Sequence, residues 1–166
     1  ALINLKGSSP KLDWIKDYLS DYPDRPTILF SKFTSFIHIL DTALEKYPHA
    51  LIIGETSAES RAKAVSDFQN GKLNLLLINI DAGKENLTLD RAEVTIFTDK
   101  FPPAGDIDQA ESRFIATTPE KAHIPKTIYE LCIKGTYDEQ CYDLVEKRAQ
   151  SVDAINNFKL YMKGGN

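Results

Sequence analysis

The sequence predicts an α/β fold, a mostly parallel central sheet flanked by helices. Three observations predict it. Apolar, β-rich runs alternate along the chain with segments whose apolar residues recur at helical spacing, the pattern of right-handed βαβ units. The run from Leu73 to Ile80 is apolar on both faces, as a central parallel strand requires. Polar loops sit just after the strand-like runs, at Ser31-Lys32-Phe33-Thr34, Gly54-Glu55-Thr56-Ser57 and Asp81-Ala82-Gly83-Lys84, and a further polar segment spans Asp108 to Arg113. In a parallel sheet the carboxyl ends of the strands form the ligand edge.

Each element has its own signal. Ser9-Pro10 reads as an N-cap followed by proline at the first helical position. Leu12, Ile15, Tyr18 and Leu19 then share one helical face, and Pro23 closes the segment. Thr27 to Phe30 is a short strand, followed by the helical stripe Phe36, Ile37, Leu40, Ala43 and Leu44. Ala50 to Ile53 is the next strand. Thr56 with Glu59 matches a capping box, opening a helix that turns Ala62, Val65 and Phe68 inward and stops at Gly71. Strands follow at Leu73–Ile80 and Val94–Phe97, a short helix at Ile107–Ile115, and an alternating strand at Thr127–Ile133. Thr136 with Glu139 is a second capping box. It opens a long terminal helix, broken near Ser151, so that 150–166 forms a helical extension of a single domain over 1–166.

At 166 residues the chain is long enough for one sizeable core. Hydrophobic residues make up 42% and charged residues 27%, ordinary values for a soluble domain. No apolar run approaches the roughly 20 residues that span a bilayer. No N-terminal segment resembles a signal peptide, and the expected setting is cytoplasmic. The chain begins at Ala1, which suggests a piece cut from a longer protein. A net charge of −4 argues against wholesale coating of DNA, because nonspecific binding is driven by phosphate neutralisation. Cys132, Cys141, His38, His49 and His123 show no metal-ligand spacing, so no metal site is expected.

The loops could carry chemistry, and each also has a plain structural reading. A helix N-terminus presents unpaired N–H groups and partial positive charge, so Lys32 and the hydroxyls at 31–35 could hold a phosphate; alternatively, Thr34 or Ser35 simply caps the helix. Gly54 could allow close backbone approach, and Thr56 or Ser57 could donate to a phosphate, unless Thr56 serves only the capping box. In the Asp81–Asn86 loop, Lys84 could meet a phosphate as a point charge, and Glu85 or Asn86 a ribose hydroxyl. Gln109 and Arg113 lie four apart, on one helical face. A guanidinium fork beside an amide suits a triphosphate at an interface, where an arginine can be worth roughly 10³ to 10⁵ in rate. A surface ion pair of Arg113 with Asp108 or Glu111 is the alternative.

Taken together the loops resemble motifs IV, V and VI of superfamily-two helicases, closest to the Swi/Snf-type translocases and their phage-encoded relatives. Thr27 to Ser31 resembles motif IV. Gly54, Thr56, Arg61, Phe68 and Gly71 fall on that family's Gly-x-Thr…Arg…Phe-x-x-Gly pattern. Leu75 to Leu89 is similar to motif V, with Ala82-Gly83 and Leu87-Thr88-Leu89 in register, and Gln109-Ala110-x-x-Arg113 is similar to motif VI. Tyr129-Glu130-Leu131 and Gly135-Thr136-x-x-Glu139 resemble the strand and helix start that follow. The resemblance covers Ser8 to Arg148.

The resemblance implies a RecA-like three-layer sandwich that is the second lobe of an ATP-dependent DNA motor. Arg113 and Gln109 would be catalytic, Gly83, Lys84, Glu85 and Asn86 would bind the nucleotide, and Ser31, Lys32, Thr34, Gly54, Thr56 and Ser57 would meet the DNA backbone. ATP and Mg²⁺ belong to the full-length protein, and this fragment is expected to hold neither. The N-terminal lobe of the same parent chain and DNA would be its partners. A Gly-x-x-x-x-Gly-Lys-Ser/Thr motif is absent from the sequence, so the fragment is expected not to hydrolyse ATP alone. Ala116 stands where the family has a second motif VI arginine, Lys84-Glu85-Asn86 replaces the glycine-rich part of motif V, and Thr118-Pro119 replaces the closing Gly-Gln. Two alternatives are a stand-alone regulatory α/β domain built on an acidic cluster at Asp81 or Asp99, and a degenerate lobe kept as a DNA or protein docking module.

Overall fold

The computed structural model describes residues 9–82, 87, 89–99, 125–144 and 147. Helix α1 (Pro10–Asp21) leads into strand β1 (Thr27–Ser31), α2 (Thr34–Ala43), β2 (His49–Ile52), α3 (Ala58–Gln69), β3 (Leu75–Asn79), β4 (Val94–Phe97) and β5 (Thr127–Glu130). Residues 137–144 are helical. The short helix expected at 107–115 and the extension at 150–166 lie outside the described residues.

All four strand pairings are parallel, in the order β2-β3-β1-β4-β5. β1 and β3 are buried along their whole lengths, as the two-faced apolar reading of Leu73–Ile80 required. Alternate residues feed two cores. Ile28, Phe30, Leu76, Ile78 and Phe97 pack with Ala64 and Phe68 of α3. Leu29, Leu77 and Ile96 pack on the other face with Ile15 of α1 and Ile37 and Leu40 of α2. The result is a three-layer sandwich.

α1 buries Leu12, Ile15, Tyr18 and Leu19, the predicted face, with Ser9 at the N-cap and Pro10 in the first turn. β4 spans the predicted residues, β2 is shifted one residue toward the N-terminus, and β3 and β5 are shorter than their apolar runs. Three local expectations are corrected. The N-cap of α2 is Phe33, without a side-chain cap bond; Thr34 lies inside the first turn, where its hydroxyl accepts from the Asn79 side chain at 3.2 Å. The N-cap of α3 is Ser57, whose hydroxyl accepts from the Ser60 N–H at 3.2 Å. Thr56 turns back instead and accepts from the Ile53 N–H at 2.9 Å, so the Thr56–Glu59 capping box does not form. Finally, α3 buries Arg61, Ala64 and Phe68 while Ala62 is exposed, because residues four and seven positions before Phe68 share its helical face and the residue six before does not.

The second box forms with a shift. Thr136 accepts from Asp138 N–H at 3.3 Å, and Glu139 reaches back to the Gly135 N–H at 2.9 Å. Gly135 has φ +72°, a conformation that costs a residue with a Cβ.

Candidate nucleic-acid interface

Because every pairing is parallel, the carboxyl ends of β2, β3, β1 and β4 stand in a row on one edge. That order sets the loops at 54–57, 80–82, 32–34 and 98–99 side by side. Adjacent strands are about 4.8 Å apart, so the loops after β2 and β1 stand roughly 10 Å apart with the β3 loop between them. The chain leaves β1 toward β2 and leaves β4 toward β5. The β1–β4 crevice is therefore a topological switch point, where open α/β sheets bind ligands.

Packing beneath the edge holds it in place. Phe30 and Phe97, each fully buried near the end of its strand, stack at 5.2 Å with an interplanar angle of 12°. Such a pair adds about 0.5–1.5 kcal/mol beyond its burial. The ladder then runs on past the strands: Ile80 N–H donates to the Ser31 carbonyl, and Thr98 N–H to the Phe30 carbonyl, both at 3.0 Å. The Lys11 ammonium donates to the Thr98 carbonyl and pairs with Asp138, tying α1 and the helical residues at 137–144 to the same corner.

Two buried polar residues grip the 31–34 loop from opposite sides. Asn79, 5% exposed, donates through Nδ2 to the Lys32 carbonyl at 3.0 Å and to Thr34 Oγ1. Its Oδ1 accepts from Asp81 N–H at 3.0 Å. Asp99, 4% exposed, accepts from Ser31 Oγ at 2.6 Å, from Lys32 N–H at 2.8 Å and from Thr98 Oγ1 at 2.9 Å. Neither was singled out from sequence as a site residue, although Asp99 was noted as a strand-end acid. The available signal for Asn79 was an amide ending an otherwise apolar strand.

The predicted backbone-contact residues divide into three kinds. Ser31 is fully buried, and its hydroxyl also accepts from Phe33 N–H at 3.1 Å, so it shapes the loop from within. Ser57 caps α3, its hydroxyl donating to Ser60 Oγ. Lys32, Thr34, Gly54 and Thr56 reach or border the surface. The Lys32 ammonium pairs with Asp81 at 2.9 Å, with side chains 32% and 50% exposed; an exposed pair of this kind is worth about 0–1 kcal/mol and can exchange for a phosphate. A Cβ on Gly54 would meet nothing within 4 Å, so its lack of a side chain answers no internal packing need. Gly83, Lys84, Glu85, Asn86, Gln109 and Arg113 lie outside the described residues.

Among the described residues, no group of three His, Cys, Asp or Glu could hold a metal ion, and no helix is long and apolar enough to cross a membrane. Among the described residues no acidic cluster of the kind a regulatory phosphoryl-transfer domain requires gathers at Asp81 or Asp99: Asp99 is buried against the Ser31–Lys32 loop, and Asp81 pairs with Lys32. Cys132 and Cys141 are free thiols. Desolvation first, then the charges of Asp138 and Glu139, push the Cys132 thiol above its ordinary range, which makes it a poor nucleophile. His49 is held by the Tyr47 carbonyl at 2.7 Å and Asp41 at 3.0 Å, a structural role at the start of β2.

Comparison with known proteins supplies the family context. Residues 10–115 match the family described as helicase conserved C-terminal domain. The chain is 28% identical over 131 residues to ATP-dependent helicase ULS1 of Saccharomyces cerevisiae, covering 76% of this chain and 8% of that protein. It is 31% identical over 125 residues to Protein CHROMATIN REMODELING 19 of Arabidopsis thaliana, covering 73% of this chain and 16% of that one. It therefore spans less than a fifth of the length of these relatives. The crystal structure of the C-terminal part of the Fun30 ATPase domain superposes with a TM-score of 0.74 at 22% identity, covering 83% of this chain and 46% of that one. That likeness shows a shared fold.

Proposed function

This chain belongs to the helicase conserved C-terminal domain family, and from that premise we propose that it is the second motor lobe of a DNA-dependent ATPase of the Swi/Snf-type branch of superfamily two, a reading its relatives support. Its partner is the N-terminal lobe of the same parent chain, which carries the phosphate-binding loop and the Mg²⁺ carboxylates. Lobe closure around ATP drives movement along DNA. The motif resemblance assigns Gln109, Arg113 and Gly83–Asn86 to the nucleotide, with Arg113 stabilising the transferring phosphoryl group. Lys32, Thr34, Gly54 and Thr56 meet one DNA strand through its phosphates, while Ser31 and Ser57 hold the backbone of those loops in shape.

The observation that carries this reading is the row of strand-end loops on one parallel edge, with the 31–34 loop gripped from both sides by Asn79 and Asp99. Contacts of this type read phosphate, not base sequence. Binding by the chain alone is therefore expected to be weak and to fall steeply with added salt.

The decisive experiment measures ATP turnover by the full-length parent with and without duplex DNA. The expected result is DNA-stimulated turnover that Arg113→Ala abolishes. An unchanged DNA-stimulated rate would remove Arg113 from the reaction. Magnesium-dependent turnover by the 166-residue chain alone would overturn the two-lobe assignment.

A further inference from the structure

We propose that Asp99 is a positioning residue for the DNA-contact loop: without touching nucleic acid, its carboxylate sets the backbone from which Lys32 and the start of α2 meet a phosphate. The inference rests on the reading that the 31–34 loop contacts DNA.

The geometry is that of a brace. Asp99 Oδ1 accepts from Lys32 N–H at 2.8 Å, and Oδ2 accepts from Ser31 Oγ at 2.6 Å. Ser31 Oγ in turn accepts from Phe33 N–H at 3.1 Å. Two successive N–H groups of the loop are thus committed inward, one directly and one through the hydroxyl. What remains outward is the Lys32 side chain and the start of α2, where the Thr34 and Ser35 N–H groups precede the first bonds of the helix, those of Phe36 and Ile37 to the Phe33 carbonyl. Desolvating a carboxylate is costly. At 4% exposure Asp99 offsets that cost with Ser31 Oγ and Lys32 N–H, both of the loop, and with the Thr98 hydroxyl, whose one hydrogen it shares with the Phe30 carbonyl. The brace is itself anchored from behind, since Thr98 Oγ1 is the third donor and the Lys11 ammonium holds the Thr98 carbonyl. Loop geometry is therefore set by a residue 67 positions away along the chain.

Asp99→Asn tests this. It keeps one oxygen for Lys32 N–H but sets an NH₂ donor against the Ser31 and Thr98 hydroxyls. Binding of a labelled duplex to the whole chain is measured at low salt for the parent, Asp99→Asn, Lys32→Ala and the double variant. Asp99→Asn is expected to weaken binding about five- to tenfold, the size of one misplaced hydrogen-bonded contact. In the Lys32→Ala background the same change should cost far less, because the two act through one loop. A general loss of structure would not produce that non-additivity. Binding unchanged by Asp99→Asn, or an equal loss in both backgrounds, overturns the inference while leaving the DNA-contact reading intact. If Lys32→Ala alone has no effect, that reading fails and takes the inference with it. Should Asp99→Asn not fold, Ser31→Ala cuts the relay to Phe33 with a smaller lesion and is held to the same two outcomes.

Discussion

The side-chain amide of Asn79 donates to the Lys32 carbonyl across 3.0 Å, joining the end of β3 to the loop after β1. The same amide accepts from Asp81 N–H, so one buried residue holds two loops of the candidate interface.

Asn79→Ala leaves the Lys32 carbonyl and the Asp81 N–H without this partner. Both bonds are part-buried, so the loss is expected at about 1 kcal/mol, the net worth of a hydrogen bond. The midpoint of urea unfolding should fall accordingly with an unchanged slope. Asn79→Asp should recover only part of the loss, since it keeps the acceptor and forfeits the donor.

Gly54→Ala separates folding from binding. The added Cβ meets nothing within 4 Å, and Gly54 is not among the glycines with positive φ. Stability should hold or rise by about 0.4–1 kcal/mol, through the reduced freedom of the unfolded chain. If a phosphate approaches the Gly54 backbone, duplex affinity should nevertheless drop in an anisotropy titration. Undiminished affinity would remove Gly54 from the interface.

Arg91 secures the end of α3. Its guanidinium donates to the Phe68 carbonyl at 2.9 Å, the Leu73 carbonyl at 3.0 Å and Asn74 Oδ1 at 2.7 Å, and it lies 5.3 Å from the centre of the Phe68 ring. Arg91→Ala should destabilise by about 3 kcal/mol, because three charge-assisted bonds and a stacking contact go together. Arg91→Lys should rescue less than half of this in the same urea titration, since an ammonium cannot reproduce the planar fork.

Asp67 gives the acid limb of stability a named contributor. Hydrogen bonds from Lys63 and Lys72, at 2.7 and 3.0 Å, hold its carboxyl below the usual carboxylate range. A carboxyl depressed on folding stabilises the native state above its unfolded value of about 3.9, and the contribution is lost as pH falls through the folded value. Asp67→Asn should therefore lower the urea midpoint at neutral pH. The gap from the parent should close below about pH 4. A gap independent of pH would assign the effect to something other than charge.

Much of the fold was legible because its signals are local. The face of α1, the strand at Val94–Phe97 and the two-sided burial of β3 follow from apolar spacing over a few residues. On α3 Phe68 and Val65 pack inward as expected, but apolar Ala62 was preferred to charged Arg61, although Arg61 shares the face of Ala64 and Phe68. The capping residues were misassigned, Thr34 or Ser35 for Phe33 and Thr56 for Ser57, because several hydroxyls lie near each helix start and local sequence does not say which is drawn elsewhere. Tertiary partners decided it: the Asn79 side chain engages Thr34, and Ile53 N–H engages Thr56.

The order of residues by itself determined the alternation of strands and helices, the parallel class of the sheet and the placing of polar loops behind strands. Each of these depends on periodicity and neighbours within one segment. Only the tertiary structure decided that β3 lies between β2 and β1, and β4 beyond β1. Strand neighbours are chosen by hydrogen bonds between residues far apart in the chain, and those choices set Asn79 and Asp99, 47 and 67 positions from Lys32, on either side of a single loop.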